Sequence, residues 1–258
     1  FLWALAYTDG PLNHLPHQGG TDCYLSKMDS EGLLIWEQSF GGLQDDQAQH
    51  LAIDAHNNCW VSGYFSDTLW IGDSILVSNG GTDAFLLKFD PNGKLALKQQ
   101  LGGLGYDSGL HLAIQNNSVY WAGIYQNQLN LDIGLLEEFG LNDVFLLKLD
   151  TTGQHIWIKN WGCPSVEHII GLSIDSLENV TAATLFKDVV YINSDTIWGS
   201  PSNNNLIVQF SSTGQLNWQT SFDGIGQDLS INEHGNIYYT GYYDGSIQVL
   251  GNTLQAWS

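Results

Sequence analysis

The sequence predicts an all-β chain of tandem four-stranded units, the arrangement of a β-propeller. Three observations predict it: a period of about sixty residues, a turn signature at a fixed place in every period, and no sustained helical stripe. Asp22-Cys23-Tyr24-Leu25-Ser26-Lys27-Met28-Asp29 recurs as Asp83–Asp90, as Asp143–Asp150 and more loosely as Asn204–Ser211. Lys27, Lys88, Lys148 and Gln209 occupy one column, so the spacings are 61, 60 and 61. Further columns keep the period: Gly32, Gly93, Gly153, Gly214; Trp36, Leu97, Trp157, Trp218; and Asp46, Asp107, Glu167, Asp228. Polar, glycine and aromatic columns held together at one period define a repeat.

One unit shows the grammar. Gln49–Asp54 alternates and is followed by Ala55-His56-Asn57-Asn58, a turn-rich tetrad, and then by the β-branched and aromatic run Cys59–Phe65. The two runs read as a hairpin. Leu69-Trp70-Ile71 and Ser74–Val77 flank Gly72-Asp73 and predict a second, smaller hairpin. Ala84–Asp90 and Lys94–Leu101 flank Pro91-Asn92-Gly93, where Pro presets the first turn dihedral and Gly accepts positive φ. The equivalent turns are 29–32, 150–153 and 211–214, and hairpins matching 49–65 fall at 110–125, 170–185 and 229–243. No i, i+3, i+4, i+7 stripe lasts three turns.

Radial repetition of such units buries sheet against sheet and leaves short edges. A parallel β-helix has shorter coils, and a string of sandwiches would show linkers. The expected organisation is one β-propeller region over 1–258, with units at about 1–45 (partial), 46–106, 107–166, 167–227 and 228–258 (partial). Leu2–Tyr7 matches the second strand at Trp60–Tyr64, and that strand type occurs five times against four of each other type. The expectation is therefore an incomplete portion of a larger ring, from a processed or truncated protein that begins at Phe1 in mid-unit.

Composition narrows the partners. Asp and Glu number 27 against 7 basic residues, all of them lysine. Phosphate backbones are bound by Lys and Arg, so nucleic acid is excluded as an expected partner; an anionic membrane surface is disfavoured for the same reason. No run of eighteen apolar residues is present, so no membrane-spanning segment is expected. Cys23, Cys59 and Cys163 fall in different columns without a CxxC spacing and read as small buried side chains. Asn116-Asn117-Ser118 and Asn179-Val180-Thr181 fit the glycosylation pattern.

Gly80–Gly93, Leu101–Asp107 and Asn236–Tyr242 resemble the bacterial SBBP repeats, a family of seven-bladed β-propeller repeats carried by secreted proteins of Gram-negative bacteria. The resemblance covers nearly the whole chain. It departs at Cys163, where a second Gly is usual, at the Ser-Asn-rich 202–205, and in the shortened strand 229–232. It implies an extracellular or outer-surface setting and a role in adhesion or as a module of a larger secreted chain. It carries no catalytic motif.

The candidate functional residues follow. Asp46, Asp107, Glu167 and Asp228 precede each first strand, where they either ring one mouth with cation or ligand contacts or accept backbone N–H bonds and fix unit geometry. Presence in every unit favours the structural role. Calcium is conceivable as a cofactor, but no Asp-x-Asp-x-Asp-Gly loop is present. His50 and His111 share a column; His14 and His17 lie in a Pro-containing loop and read as solvated. Trp70, Trp121, Trp198 and Trp257 are less regular than the Trp36 column and are the candidates for sugar stacking, against a core role. No GxSxG or HExxH occurs. The expected function is a non-enzymatic surface propeller that binds protein. A multivalent carbohydrate-binding propeller is the alternative, and a glycan-processing enzyme has the least support. Local function is expected where the repeat breaks, at 8–18, 162–168 and 199–205.

Overall fold

The computed structural model describes residues 2–10, 15–232, 234–243, 246–249 and 252–255. Among them there are only strands, turns and loops, and every strand ladder is antiparallel. The chain is all-β and β-propeller-like. It divides into two compact bodies, 1–116 and 117–258.

The first body contains β1 (Leu2–Thr8), β2 (Asp22–Met28), β3 (Leu34–Phe40), β4 (Gln47–Ile53), β5 (Cys59–Ile71), β6 (Ser74–Phe89), β7 (Leu95–Leu101) and β8 (Ser108–Gln115). Its sheets are β1-β2-β3 and β4-β5-β6-β7, each a meander in chain order. The second body contains β9 (Ser118–Tyr125), β10 (Leu129–Leu131), β11 (Gly134–Leu136), β12 (Asp143–Asp150), β13 (His155–Gly162), β14 (His168–Ile174), β15 (Val180–Ile192), β16 (Asp195–Phe210) and β17 (Leu216–Asp223). It continues with β18 (Ile225–Ile231), β19 (Ile237–Tyr242), β20 (Ser246–Val249) and β21 (Asn252–Gln255). There β14-β15-β16-β17 repeats the meander, and β9-β12-β13 pair in that order.

The predicted separate small hairpin at 69–77 is not separate. β5 and β6 run through it as one bent hairpin, with a bulge between Ser66 and Thr68. Asp67 takes φ 60° there, and Asp188 takes φ 60° at the matching bulge of β15. A short polar side chain tolerates that left-handed step, which bends the strand without ending it. The bend has a purpose in packing. It carries Trp70 onto the fourth strand of the preceding unit, where Gly41 and Trp70 exchange two backbone bonds of 3.2 and 2.9 Å. In the second body Gly162 pairs with Tyr191 in the same way.

The turns between third and fourth strands form as their residues dictate. Asp90 Oδ1 accepts the Asn92 and Lys94 N–H groups at 2.8 and 2.9 Å, and Gly93 closes the turn at φ 85°. Asp29, Asp150 and Ser211 repeat the device, with Gly32, Gly153 and Gly214 between φ 81° and 91°.

These turns also join the units. Lys27 Nζ and Trp36 Nε1 both donate to Pro91 O, at 2.8 and 3.1 Å. Lys148 and Trp157 do the same to Ser212 O, at 2.9 and 3.1 Å. Each indole lies over the turn glycine it serves, Trp36 on Gly93 and Trp157 on Gly214. Third strands are buried on both faces, which is why they read as continuous apolar runs. In the first body Phe85, Leu87 and Phe89 pack against Cys23, Leu25, Trp36 and Phe40 of the unit before.

The contact predicts unequal costs for one substitution at two equivalent turns. At Gly32 a Cβ meets open space, so Gly32→Ala pays only for left-handed backbone, about 1 kcal/mol. At Gly93 the same atom lies 2.9 Å from the Trp36 ring. Gly93→Ala is therefore expected to cost about twice as much, on the order of 2 kcal/mol. Urea unfolding of both variants measures the difference, and equal midpoints would refute the role of the Trp36 contact.

Candidate functional site

The strongest concentration of reactive side chains is two columns of buried carboxyls near the junctions of consecutive units, brought against each other at Asp22–Asp46 and Asp143–Glu167. One member comes from the acidic column read in the sequence; the other is the aspartate that opens each third strand. Asp22, Asp83 and Asp143 are all at most 1% exposed, and Asp46, Asp107 and Glu167 are fully buried. Loop geometry positions each one. The aspartate at the strand head accepts the N–H four residues earlier: Gln18 to Asp22 at 2.8 Å, Asn79 to Asp83 at 3.2 Å, Phe139 to Asp143 at 2.7 Å. In the fourth unit Asn204 takes the place and accepts from Ser200 N at 2.9 Å.

Glycine makes room for them. A Cβ on Gly41, Gly102 or Gly162 would lie 2.0, 2.3 or 1.9 Å from the side chain of Asp22, Asp83 or Asp143. The second column sits against the same loops. Asp46 accepts from Ser66 N at 3.1 Å, and Asp107 accepts from Gly103 N at 2.8 Å. Asp228 departs from its column: it is exposed, lies inside β18, and bonds its neighbour Leu229 N at 2.8 Å. The shortened loop there gives it no Gly-Gly cradle.

Burial without cations decides the protonation state. Asp46 is pushed up to about 7, mainly by desolvation, with the charge of Asp22 adding to it. Asp143 rises to about 6 from the same cause. Glu167 rises as well, from desolvation first and from the Asp143 charge beside it. Asp143 Oδ1 and both Glu167 oxygens lack a donor as long as both groups are ionised. A neutral Glu167 can donate to Asp143, which supplies the donor that Asp143 Oδ1 lacks. In the Asp143–Glu167 pair a proton can thus be held between units. Among the described residues, no three His, Cys, Asp or Glu side chains converge as a metal set.

The other candidates fall in different places. His50 and His111 do come together, with ring centroids 5.7 Å apart, and His50 Nδ1 accepts from Leu112 N at 3.3 Å. That bond uses one nitrogen of the pair for the backbone. His17 is not solvated: its Nδ1 lies 3.0 Å from Asp22 Oδ2; His14 lies outside the described residues. Cys23, Cys59 and Cys163 are free and buried, and burial raises all three thiols, Cys59 to about 12. A thiol held protonated is a poor nucleophile. Trp121 is 1% exposed and packs edge-on to Phe145, so it offers no face to a sugar. Trp70 lines a cleft of about 150 Å3 with Pro16 and Asp22, below the size of an ordinary ligand pocket. Trp198 is 76% exposed on β16, and Trp257 lies outside the described residues. No helix among the described residues is long and apolar enough to cross a membrane.

Sequence reading missed two features. The strand-head aspartates were visible as a column, and Gly41, Gly102 and Gly162 at the ends of the fourth strands were the signal that something closely approaches them. The second is an apolar cleft of about 760 Å3 in the second body, between β17 and β19 and lined by Trp218, Phe222 and Tyr239. The run of tyrosines at 238–243 was its trace.

Raised carboxyl values fix the sign of a pH dependence. A carboxyl protonated in the fold but ionised when unfolded contributes stability that is complete below its unfolded value, near 4. That stability is lost as pH rises through the folded value. Thermal unfolding is therefore expected at lower temperature at pH 8 than at pH 5, over a window set by Asp143 near 6 and Asp46 near 7. Glu167→Gln, which keeps a donor toward Asp143, and Asp46→Asn are each expected to flatten that slope, by an amount on the order of 2 kcal/mol across the window. Slopes identical to the parent protein's would refute the shared proton.

No protein-family model matches the chain. It is similar to an uncharacterized WD repeat-containing protein of Acanthamoeba polyphaga mimivirus, with 20% identity over 194 residues. The alignment takes in 60% of this chain and spans 14% of that protein's length. The likeness is to a repeat protein, and it agrees with the antiparallel four-stranded units.

Proposed function

We propose that this chain is a portion of a larger β-propeller that serves as a non-enzymatic interaction scaffold on the outside of a bacterial cell, in the manner of the SBBP repeats its sequence resembles. The observation that carries the reading is the fate of the repeated polar residues. The Lys and Trp columns bond the next unit's turn, the strand-head aspartates bond their own loops, and Asp46, Asp107 and Glu167 lie buried behind them. Among the large apolar side chains left exposed, some sit on loops between units. Leu43 and Leu104 follow the glycine pairs at equivalent places and are 61% and 83% exposed, with Tyr106 nearby at 63%. Recurrent exposed leucines on loops held by a rigid sheet favour protein contact. WD-repeat likeness points to the same class of role.

The test uses the protein on the cells that make it. Antibody to the chain is expected to label intact cells. Photo-crosslinking is expected to yield partners that disappear in the Leu43→Asp/Leu104→Asp variant, while its unfolding midpoint stays within about 0.5 kcal/mol of the parent, as exposed sites allow. Crosslinks unchanged by the variant would sink the reading. Among the described sugar-stacking candidates Trp198 is the exposed one; for the glycan-binding reading, a glycan array with calcium present is expected to show Trp198-dependent binding, and background signal removes that reading.

A further inference from the structure

The aspartate that heads each third strand has two oxygens to satisfy, and consecutive units do so with different side chains. Around Asp83 the donors are mostly amides. Asn79 Nδ2 donates to Asp83 Oδ2 at 2.9 Å, and Gln100 Nε2 donates to the same oxygen at 3.1 Å. Asn79 N serves both oxygens at 3.2 Å. The two amides also reach backbone: Asn79 bonds Gly102 O at 3.1 Å, and Gln100 bonds Val77 O at 2.9 Å. They fill the corner between Asp83, the end of β7 and residues 77–79.

The first unit has the same corner with other side chains in it. Ser39 stands in the place of Gln100, since it pairs with Tyr24 as Gln100 pairs with Phe85. Gln18 stands in the place of Asn79, four residues before the aspartate. Ser39 gives its hydroxyl proton to Pro16 O at 2.6 Å, and Gln18 offers Asp22 its backbone N–H, to Oδ2 at 2.8 Å. His17 Nδ1 lies 3.0 Å from that same oxygen. Asp22 Oδ1 is left without a donor, although Asp22 is only 1% exposed. Asp143 has the Glu167 carboxyl within bonding reach, whereas Asp46 and Asp22 interact through charge.

Two absent amides leave a space, and it is the cleft of about 150 Å3 lined by Pro16, Gln18, Asp22, Ser39, Gly41 and Trp70. Trp70 reaches it from the bent hairpin of the next unit, which the backbone bonds to Gly41 hold in place. A cavity of that volume takes a group of about six heavy atoms. The group that suits it carries N–H donors for Asp22 Oδ1 and a positive charge for a buried carboxylate. It is also flat, like the amides that occupy the next unit's corner. A guanidinium meets all three conditions: it sets two NH2 groups in one plane, stays charged, and stacks on an indole. The chain holds no arginine of its own to put there.

We propose that the cleft between Asp22 and Trp70 is a receptor for one arginine side chain of a partner protein. The guanidinium donates to Asp22 Oδ1 and to the Ser39 hydroxyl oxygen, and it packs against Trp70. Leu43, two residues beyond Gly41 and exposed, adds an apolar contact close by. An arginine anchored in a pocket beside apolar contacts is the usual make-up of an interface hot spot. The formal charge of −20 draws a basic partner toward this surface. This inference rests on the interaction-scaffold reading and names the side chain by which the partner is held.

The probe is N-acetyl-arginine methylamide, titrated into the full chain and followed by NMR at the Trp70 indole N–H and the Gly41 amide. It is expected to bind saturably at one site, and the lysine analogue about tenfold more weakly. Ser39→Gln installs in the first unit the amide that Gln100 supplies in the second. That variant is expected to unfold no more easily than the parent and to lose arginine binding at least about tenfold. Asp22→Asn is expected to lose it as well, and Ser39→Gln carries the test if Asp22→Asn misfolds. Absence of saturable binding, binding indifferent to Ser39→Gln, or equal binding of the lysine analogue overturns the proposal. On cells, Ser39→Gln is expected to remove the photo-crosslinked partners. Partners kept by Ser39→Gln but lost in Leu43→Asp/Leu104→Asp leave the scaffold reading standing and sink the arginine site. Saturable arginine binding with no crosslinked partner sinks the scaffold reading, and with it a partner as the source of the arginine.

Discussion

Pro91 O and Ser212 O each accept two hydrogen bonds from the unit before, one from a lysine and one from an indole. The rest of the architecture depends on this arrangement. A four-stranded meander has two apolar faces and cannot bury either alone, so it must be held at a fixed distance from its neighbour. The turn carbonyl sets that distance at one end of the sheet. The bent outer hairpin, through Gly41–Trp70 and Gly162–Tyr191, sets it at the other. Between them Phe85, Leu87 and Phe89 meet Trp36 and Phe40 without choice of register.

The loop end is held by a different chemistry. Acidic side chains are an odd choice for a buried junction in a chain of formal charge −20. A proton shared between two carboxyls removes one of their two charges and keeps the directionality of a hydrogen bond. The glycines Gly41, Gly102 and Gly162 exist to let one carboxyl approach the strand end closely. The cost is that these junctions loosen as protons leave. Buried acids such as Asp46, Asp143 and Glu167 therefore tie the stability of the chain to pH.

Much of this was legible in the residues. The period, the Asp-x-x-Gly turns and the absence of helix are local or periodic signals, and each strand pair lies where its turn chemistry placed it. The acidic column was legible as a column, and its recurrence pointed to architecture before burial was known. The small hairpin was misplaced as a separate element because an aspartate in the left-handed region looks like a loop in sequence and acts as a bulge in the sheet. Trp121 and Trp198 looked alike as irregular tryptophans, yet one is buried and the other exposed.

By itself, then, the sequence determined the repeat, the strands and the turns, because those depend on dihedral preferences and on alternation along one chain. Only the tertiary structure decided which carboxyls meet, why Asp228 stands apart from its column, and where an apolar space stays open beside β19. Those outcomes depend on partners supplied by another unit some sixty residues away. Burial of a charged group, or exposure of an aromatic one, is a property of that neighbour as much as of the residue.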